Sequence, residues 1–260
     1  MSQNNAITSR YFSGQGIVSI ATRSTAGEPQ GFVNIGDVSA LSITQEVTKE
    51  EHTDHTTGNR ATDAVLQTKT TVGVSMTIGN LSRENLALMS QGSSATVAAG
   101  SVTNEVVKAY LAKTVALAHP NVAAVNVTNT AGTVTYVVGS NYTVNAEAGS
   151  INILNAAAQT AAVAPIADLQ DLHIDYTYAA YDTVDAFTSA APERWIRFEG
   201  LNTADSNKPV IVDIFKFLFS PFAELPLIND SFAEFVVEGE ALSDSTKLTG
   251  SKHYRVRIVA

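Results

Sequence analysis

Arg194-Trp195-Ile196-Arg197-Phe198-Glu199-Gly200-Leu201-Asn202-Thr203-Ala204, followed after a short polar gap by Lys208-Pro209-Val210-Ile211-Val212-Asp213-Ile214-Phe215-Lys216-Phe217-Leu218-Phe219, is the stretch whose reading decides the fold. Two runs rich in β-branched and aromatic residues flank residues 202–207, where Asn, Asp, Ser and Thr supply turn chemistry, so the segment predicts a long β-hairpin. Pro209 fits because proline, lacking an N–H, is tolerated at the start of a strand. Neither run alternates cleanly. Ile196 and Phe198 share one face while Trp195 falls with Arg197 and Glu199; Ile211, Phe215 and Phe217 oppose Val210, Val212 and Ile214. Both faces are therefore expected to be covered, by a second sheet of the same chain or by another subunit. Trp195, Arg197, Glu199, Phe215 and Phe217 are the candidates for a sheet shared between subunits.

Working outward, residues 17–22 and 31–37 read as strands around a Gly-containing turn, and residues 38–47 alternate with period two, Leu41 and Ile43 sharing a face. The polar run Lys49-Glu50-Glu51-His52-Thr53-Asp54-His55, closed by the turn signal Gly58-Asn59 and Arg60, is followed by renewed alternation through Val65, Gln67, Lys69 and Thr71, then Val72, Val74 and Met76. This is a second long hairpin with a charged, projecting tip. One short helix is expected over about 81–91, with Ser82 as N-cap, Glu84 in the first turn, Gly92 as the left-handed terminator, and Leu81, Leu86, Leu88 and Met89 buried.

From residue 93 the texture turns to Ala, Val, Thr and Asn, with short strand candidates at 102–107, 115–117, 122–128, 133–138, 142–145, 151–154 and 172–178, separated by Gly and Asn turns. The Ala-rich stretch 156–164 fits a packed helix and a surface connection equally well. Strands at 232–242 and 254–259 close the chain. The pattern predicts a mainly β fold, a β-sandwich or barrel in a single domain spanning 1–260, with an elaborated middle section at about 101–170.

The 260 residues are ample for one large β domain. Only 16% are charged against about 25% in an average soluble domain, and surface destined for burial in an assembly is the simplest explanation. A formal net charge of −9 argues against a phosphate-binding face, which would cluster Lys and Arg. The absence of cysteine removes disulfides, thiolate metal sites and a Cys nucleophile. The first residues lack a basic segment before an apolar one, and no apolar run approaches the roughly 18 residues of a membrane span, so assembly in the cytoplasm without membrane contact is expected.

Catalytic motifs do not emerge. Gly14 and Gly16 lack the lysine and spacing of a phosphate loop. His52 and His55 with Glu50, Glu51 and Asp54 suggest a metal-dependent hydrolase, but the spacing is i, i+3 on a hairpin tip without an apolar wall. No Gly-x-Ser-x-Gly elbow is present. Glu238 and Glu240 alternate as on a solvent-facing strand, and Arg194, Arg197, Arg255 and Arg257, near Glu193 and Glu199, read as ion-pairing residues across strands or subunits. No enzyme activity and no cofactor are expected.

The chain resembles the tail tube (major tail) proteins of long-tailed, non-contractile bacteriophages. The resemblance is carried by Asn34-Ile35-Gly36-Asp37-Val38 with Leu41-Ser42-Ile43, Glu51-His52, Gly58 and Lys69; by Glu84-Asn85-Leu86-Ala87-Leu88 ending at Gly92; and by Arg197-Phe198-Glu199-Gly200-Leu201-Asn202-Thr203 with Lys208-Pro209-Val210, Pro221, Leu225, Glu238-Gly239-Glu240-Ala241-Leu242 and Asp244. Gly139-Ser140-Asn141-Tyr142-Thr143-Val144 and Gly149-Ser150-Ile151 extend it through the middle, while the Ala-rich 156–167 does not map. It implies a β-sandwich subunit with one flanking helix, forming hexameric rings that stack into a virion tube through which DNA passes without specific binding. Tip, terminator and tape-measure proteins would be the other partners. By analogy the 46–68 hairpin, with Glu50, Glu51, His52, Asp54, His55 and Arg60, and the N-terminal arm are the candidate ring-to-ring contacts. A capsid decoration or adhesin-like β module is the alternative.

Overall fold

A computed structural model describes residues 11–259 apart from Thr57, Asn59 and Val163; the N-terminal arm and the Asn59 half of the expected turn signal lie outside the described residues. The chain is mainly β with one short α-helix, as the pattern predicts. In chain order the strands are β1 (Gly14–Thr22), β2 (Val33–Asn34), β3 (Val38–Thr53) and β4 (Thr62–Ile78), then helix α1 (Arg83–Met89) and β5 (Ser93–Val97). Short strands follow: β6 (Gly100–Lys108), β7 (Thr114–Ala116), β8 (Val122–Asn129), β9 (Thr135–Tyr136), β10 (Tyr142–Asn145), β11 (Ser150–Ile153), β12 (Asp171–Tyr178) and β13 (Tyr181–Asp185). The last are β14 (Glu193–Asn202), β15 (Lys208–Phe219), β16 (Phe235–Ala241) and β17 (Tyr254–Ile258). The chain divides into two compact units, one formed by residues 1–94 and 184–260, the other by 95–183, so the section expected as an elaboration falls within the second unit. Strands β5 and β13, where the chain passes from one unit to the other, pair in a two-stranded ladder.

The first unit is one eight-stranded sheet ordered β2-β1-β14-β15-β16-β4-β3, with β17 also on β15; it does not close into a barrel. The β14–β15 hairpin is its centre, antiparallel from Glu193↔Leu218 to Asn202↔Lys208 around the expected turn, where Ser206 and Asn207 take positive φ. A register shift accounts for the untidy pattern. Two residues of β14, from Arg194 to Ile196, oppose three of β15, from Phe217 to Ile214, so β15 carries a bulge. The extra residue returns Phe217 and Phe219 to the face of Ile214 and Val212, in one core with Ile196, Val18, Met76 and Val237. The expectation that Phe217 opposes Val212 and Ile214 fails for this reason. The bulge also divides the far edge of β15, which pairs with β17 over 210–214 and with β16 over 217–219.

Strand β4 begins exposed and ends as a regular alternation in which Val72, Val74, Met76 and Ile78 are buried, against partly buried Leu41 and Ile43 of β3. Helix α1 covers this core with Met89 and Leu88. Its N-cap is Ser82, whose side chain accepts the Asn85 N–H, but Leu81 lies outside the helix and is exposed, contrary to expectation. Asn85 is buried instead, and its amide donates to the Ile35 and Asn80 carbonyls at 2.8 and 3.0 Å. The C-terminus is a Schellman motif, with Gln91 N–H on Leu88 O and Gly92 N–H on Ala87 O. The left-handed residue is Gln91 (φ 50°) rather than Gly92. Gly92 answers a different need: a Cβ there would lie 2.2 Å from the Asp185 carbonyl oxygen. Strand β16 starts at Phe235, three residues later than expected, and Phe232 stands in solvent.

The second unit packs a four-stranded sheet, β6-β12-β8-β9, and a three-stranded sheet, β10-β11-β7, around one core. Leu172, Ile174 and Tyr176 of β12 face Tyr142, Ile151 and Ile153 in that cluster. Both neighbours of β12 carry an extra residue, at positive-φ Asn104 in β6 and Ala124 in β8, so the distortion falls on the flanking strands and β12 keeps its alternation. Burial, then the hydrogen bond donated to Glu105, pushes the Tyr176 hydroxyl far above its usual range, so it stays protonated as the donor to that carboxylate. The Ala-rich segment forms a single 3-10 turn, Ala158–Ala161. Its Gln159 is buried, accepting from Asn141 Nδ2 at 3.1 Å and Ile166 N–H at 2.7 Å while donating to the Leu154 carbonyl at 2.9 Å. Residues 155–158 are exposed, so this stretch is the surface connection of the two alternatives, anchored inward by Gln159, and not a packed helix.

Candidate assembly interface

The β3–β4 hairpin has two halves. Near the core its β4 side is buried and carries β16 alongside, from Phe235↔Ile78 to Glu240↔Gly73. Beyond Gly73 no described strand flanks it, and residues 44–52 and 61–70 are exposed without exception. At about 3.3 Å per residue, nine residues of strand extend about 30 Å. Apart from Gln45 at its root, whose amide donates to the Tyr254 hydroxyl, this arm is a two-stranded ribbon that no described element covers on either face or edge, and it displays Val47, Val65 and Leu66 to solvent. Isolated two-stranded ribbons are marginal in water; they gain stability from a third strand or a packing partner.

The predicted site residues gather at the far end of this arm. Glu50, Glu51 and His52 lie on β3, opposite Leu66, Val65 and Ala64, rather than in a loop. Asp54, His55 and Arg60 fall in the turn beyond it, where Asp54 accepts the Thr56 N–H at 2.7 Å and Arg60 takes positive φ. His52 Nδ1 sits 2.6 Å from an Asp63 carboxylate oxygen, and the His52 and His55 rings meet edge-on with centroids 6.1 Å apart. No group of three or more His, Asp or Glu positioned to hold a metal ion occurs among the described residues.

The opposite margin of the sheet is also open. Among the described residues β2 pairs β1 only at Ser19 and Ile20, and the Ile35 N–H bonds the Val18 carbonyl just beyond, leaving residues 14–17 as an edge on which Ile17 is exposed. Sheet edges offer ready hydrogen bonds to an added strand. The first unit therefore presents two unlike edges, β1 and β3, at the two ends of one sheet.

The β14–β15 hairpin behaves differently from its expected role. Trp195, Phe215 and Phe217 are buried by the chain itself, the last completely. Trp195 and Phe215 form a small cluster with Ala21, edge-on at 5.0 Å, and the Lys247 ammonium lies 4.6 Å over the Trp195 ring while Arg255 stacks over Phe215. Beneath them Asp213, also buried, accepts from Trp195 Nε1 at 3.4 Å, Arg197 Nη1 at 3.3 Å and Arg257 Nη2. The second face is thus closed by the residues that follow β16. Arg197 and Glu199, paired with each other, are the members of that candidate set left near the surface.

A second ion-pair knot ties the same region. Arg23, after β1, donates to Asp244 at 2.7 Å and to Glu193 at 3.2 Å. Burial alone would push the Asp244 carboxyl up, but the Thr246 hydroxyl and N–H and the Arg23 guanidinium outweigh it, so the carboxyl titrates below its usual range. Sequence reasoning missed the role of Asp244, whose signal was the turn sequence Ser243-Asp244-Ser245-Thr246. It also missed the crest of the β15–β16 connection, where Leu227, Ile228 and Phe232 are 81%, 98% and 99% exposed. The prolines and Asn229-Asp230 in that connection were its signal.

Among the described residues no helix is long and apolar enough to cross a membrane. Residues 11–257 match the model of a family described as "Protein of unknown function UCP028589", and the chain belongs to that family. No curated protein matches the chain.

Proposed function

We propose that this chain is a structural virion protein whose copies close into rings, hexameric by the family resemblance, and that the rings stack as a phage tail tube. The observation that carries the reading is the β3–β4 arm, about 30 Å of ribbon exposed on both faces at 44–52 and 61–70 and rooted in a well-packed core. Such a ribbon is a contact element waiting for a neighbour. Unlike edges at β1 and β3 support ring closure, because a head-to-tail contact needs two different complementary surfaces on each copy. The net charge of −9 and the low charged fraction support extensive burial between copies and a conduit that DNA traverses without being held. Terminator, tip and tape-measure proteins would meet the ends and bore of the tube.

Electron microscopy of the purified protein tests the reading. Stacked rings forming tubes of regular repeat are expected, with or without a tail-tip initiator; a protein that stays monomeric under all these conditions overturns it. Charge reversal at Glu50 and Glu51 should weaken ring stacking and leave the fold intact, and normal tubes from that variant would remove the arm's end from the contact.

A further inference from the structure

The connection between β15 and β16 combines features that a free subunit does not need. Its base is fixed: Phe222, Leu225 and Ala233 pack on the core, and the Phe222 N–H donates to the Met89 carbonyl at 3.1 Å. Its crest is bare, with Leu227, Ile228 and Phe232 at 81–99% exposure within six positions. Pro221 and Pro226 stiffen it, lowering the entropy lost on docking. Its ionisable side chains, Glu224, Asp230 and Glu234, are all acidic. An anchored, stiff, apolar and acidic crest is built to enter something apolar and cationic.

The same chain carries a cleft with apolar walls and one cation that lacks a carboxylate partner among the described residues. About 530 Å³ in volume, it lies between β1, β2 and α1, with Ile20, Val33, Ile35 and Leu88 on its walls and Arg194 beside them. That size falls within the range of about 300–1,000 Å³ typical of sites that take up several apolar groups. Its charged members are Glu84 and Arg194. Glu84 is engaged by Arg83 at 2.6 Å. Arg194 makes no ion pair with a described residue; its guanidinium donates to the neighbouring Glu193 carbonyl at 3.2 Å, and burial pushes its pKa down. A half-buried cation without a carboxylate is an incomplete pair.

We infer that the crest of one copy, with Leu227, Ile228 and Phe232, docks into this cleft on the next copy and brings Asp230 to Arg194. The crest cannot be filling the cleft of its own copy, because its apolar side chains stand in solvent. Charge complementarity selects the occupant: the crest is purely acidic, and the cleft's unpaired charge is a guanidinium. Crest and cleft are different surfaces of one chain, so the contact is head-to-tail and propagates from copy to copy. The inference rests on the proposed assembly for its setting, but its test separates the two.

The chain contains no cysteine, so single cysteines map the contact directly. Ile228→Cys and Val33→Cys, both at exposed positions, are mixed under mild oxidation. A disulfide-linked dimer should form in the mixture and in neither variant alone, and the double variant should give a ladder of linked copies. Asp230→Arg should weaken association roughly tenfold, Arg194→Glu likewise, and the exchanged pair should recover it. Asp230 lies in solvent, so its variant keeps the proposal testable if Arg194→Glu fails to fold; circular dichroism distinguishes the cases. Tubes without the mixed disulfide would overturn the docking and leave the tube reading standing. A mixed disulfide in a protein that never forms stacked rings would do the reverse. Neither tubes nor disulfide would overturn both.

Discussion

Two long hairpins of the same unit meet opposite fates. In β14–β15 the chain covers both faces itself: Ile196, Ile214, Phe217 and Phe219 face the main core, and Trp195 and Phe215 lie under Lys247 and Arg255. In β3–β4 only the inner half reaches that core, through Val72, Val74, Met76 and Ile78, and the outer half is bare. The difference is one of purpose. Apolar residues on both faces of a strand announce that it will be covered but not by what, and here the cover is intramolecular. A strand pair with polar residues on both faces and a few exposed valines and leucines gains little from its own contacts, and the proposed assembly would give its length a use.

The sharpest break in this comparison comes from cutting into the self-covered hairpin. Phe217→Ala should cost about 3–5 kcal/mol, the range for deleting a fully buried aromatic, read as a lowered midpoint in chemical denaturation. A loss near zero would mean that the core is not where the bulge puts it. Asp213→Ala should cost about 1–3 kcal/mol, because it strands the Trp195 N–H under the Lys247 cover, while Arg197 keeps its pair with Glu199. Arg257 is half exposed and can return to water, which keeps the loss below that of a sealed pair.

A smaller effect, confined to acid, is expected at Asp244. Its folded-state pKa is depressed, so the unfolded chain binds a proton more readily. The stabilisation is therefore complete above the ordinary aspartate value of about 3.9 and is lost as pH falls through the lower folded value. Thermal melts across that window should show wild type losing stability more steeply than Asp244→Asn; equal slopes would remove Arg23–Asp244 from the account. Least of all, Val65→Thr and Leu66→Thr on the arm should change monomer stability by no more than about 0.5 kcal/mol while impairing assembly. A large loss in the isolated monomer would show that the arm is already packed.

The parts of this fold that could be read from the sequence were those set by local periodicity. The alternation of Val72, Val74 and Met76, the Ser82 cap and the strands from Gly100 to Tyr178 all depend on neighbours within a few residues. What stayed hidden depends on a count or on distance. A single extra residue in β15 reverses the face of Phe217 without changing composition. Gln91 rather than Gly92 takes the left-handed position, and Gly92 is required because the Asp185 backbone, far along the chain, passes too close for a Cβ. Pairing of β5 with β13 likewise joins segments far apart in the chain. At the candidate site, the charged end of the arm was legible because polar runs between alternating segments mark a hairpin end. The Asp230–Arg194 match was not, because nothing in one dimension relates residue 230 of one copy to residue 194 of another.

The central claim is that the outer half of β3–β4 is an interface between copies, and amide hydrogen exchange in the free and assembled protein tests it most directly. Residues 44–52 and 61–70 should exchange quickly in the free subunit and become strongly protected on assembly, while Val74, Met76 and Phe217 stay protected in both. Assembled particles in which the arm exchanges as fast as it does in the free subunit would contradict the account.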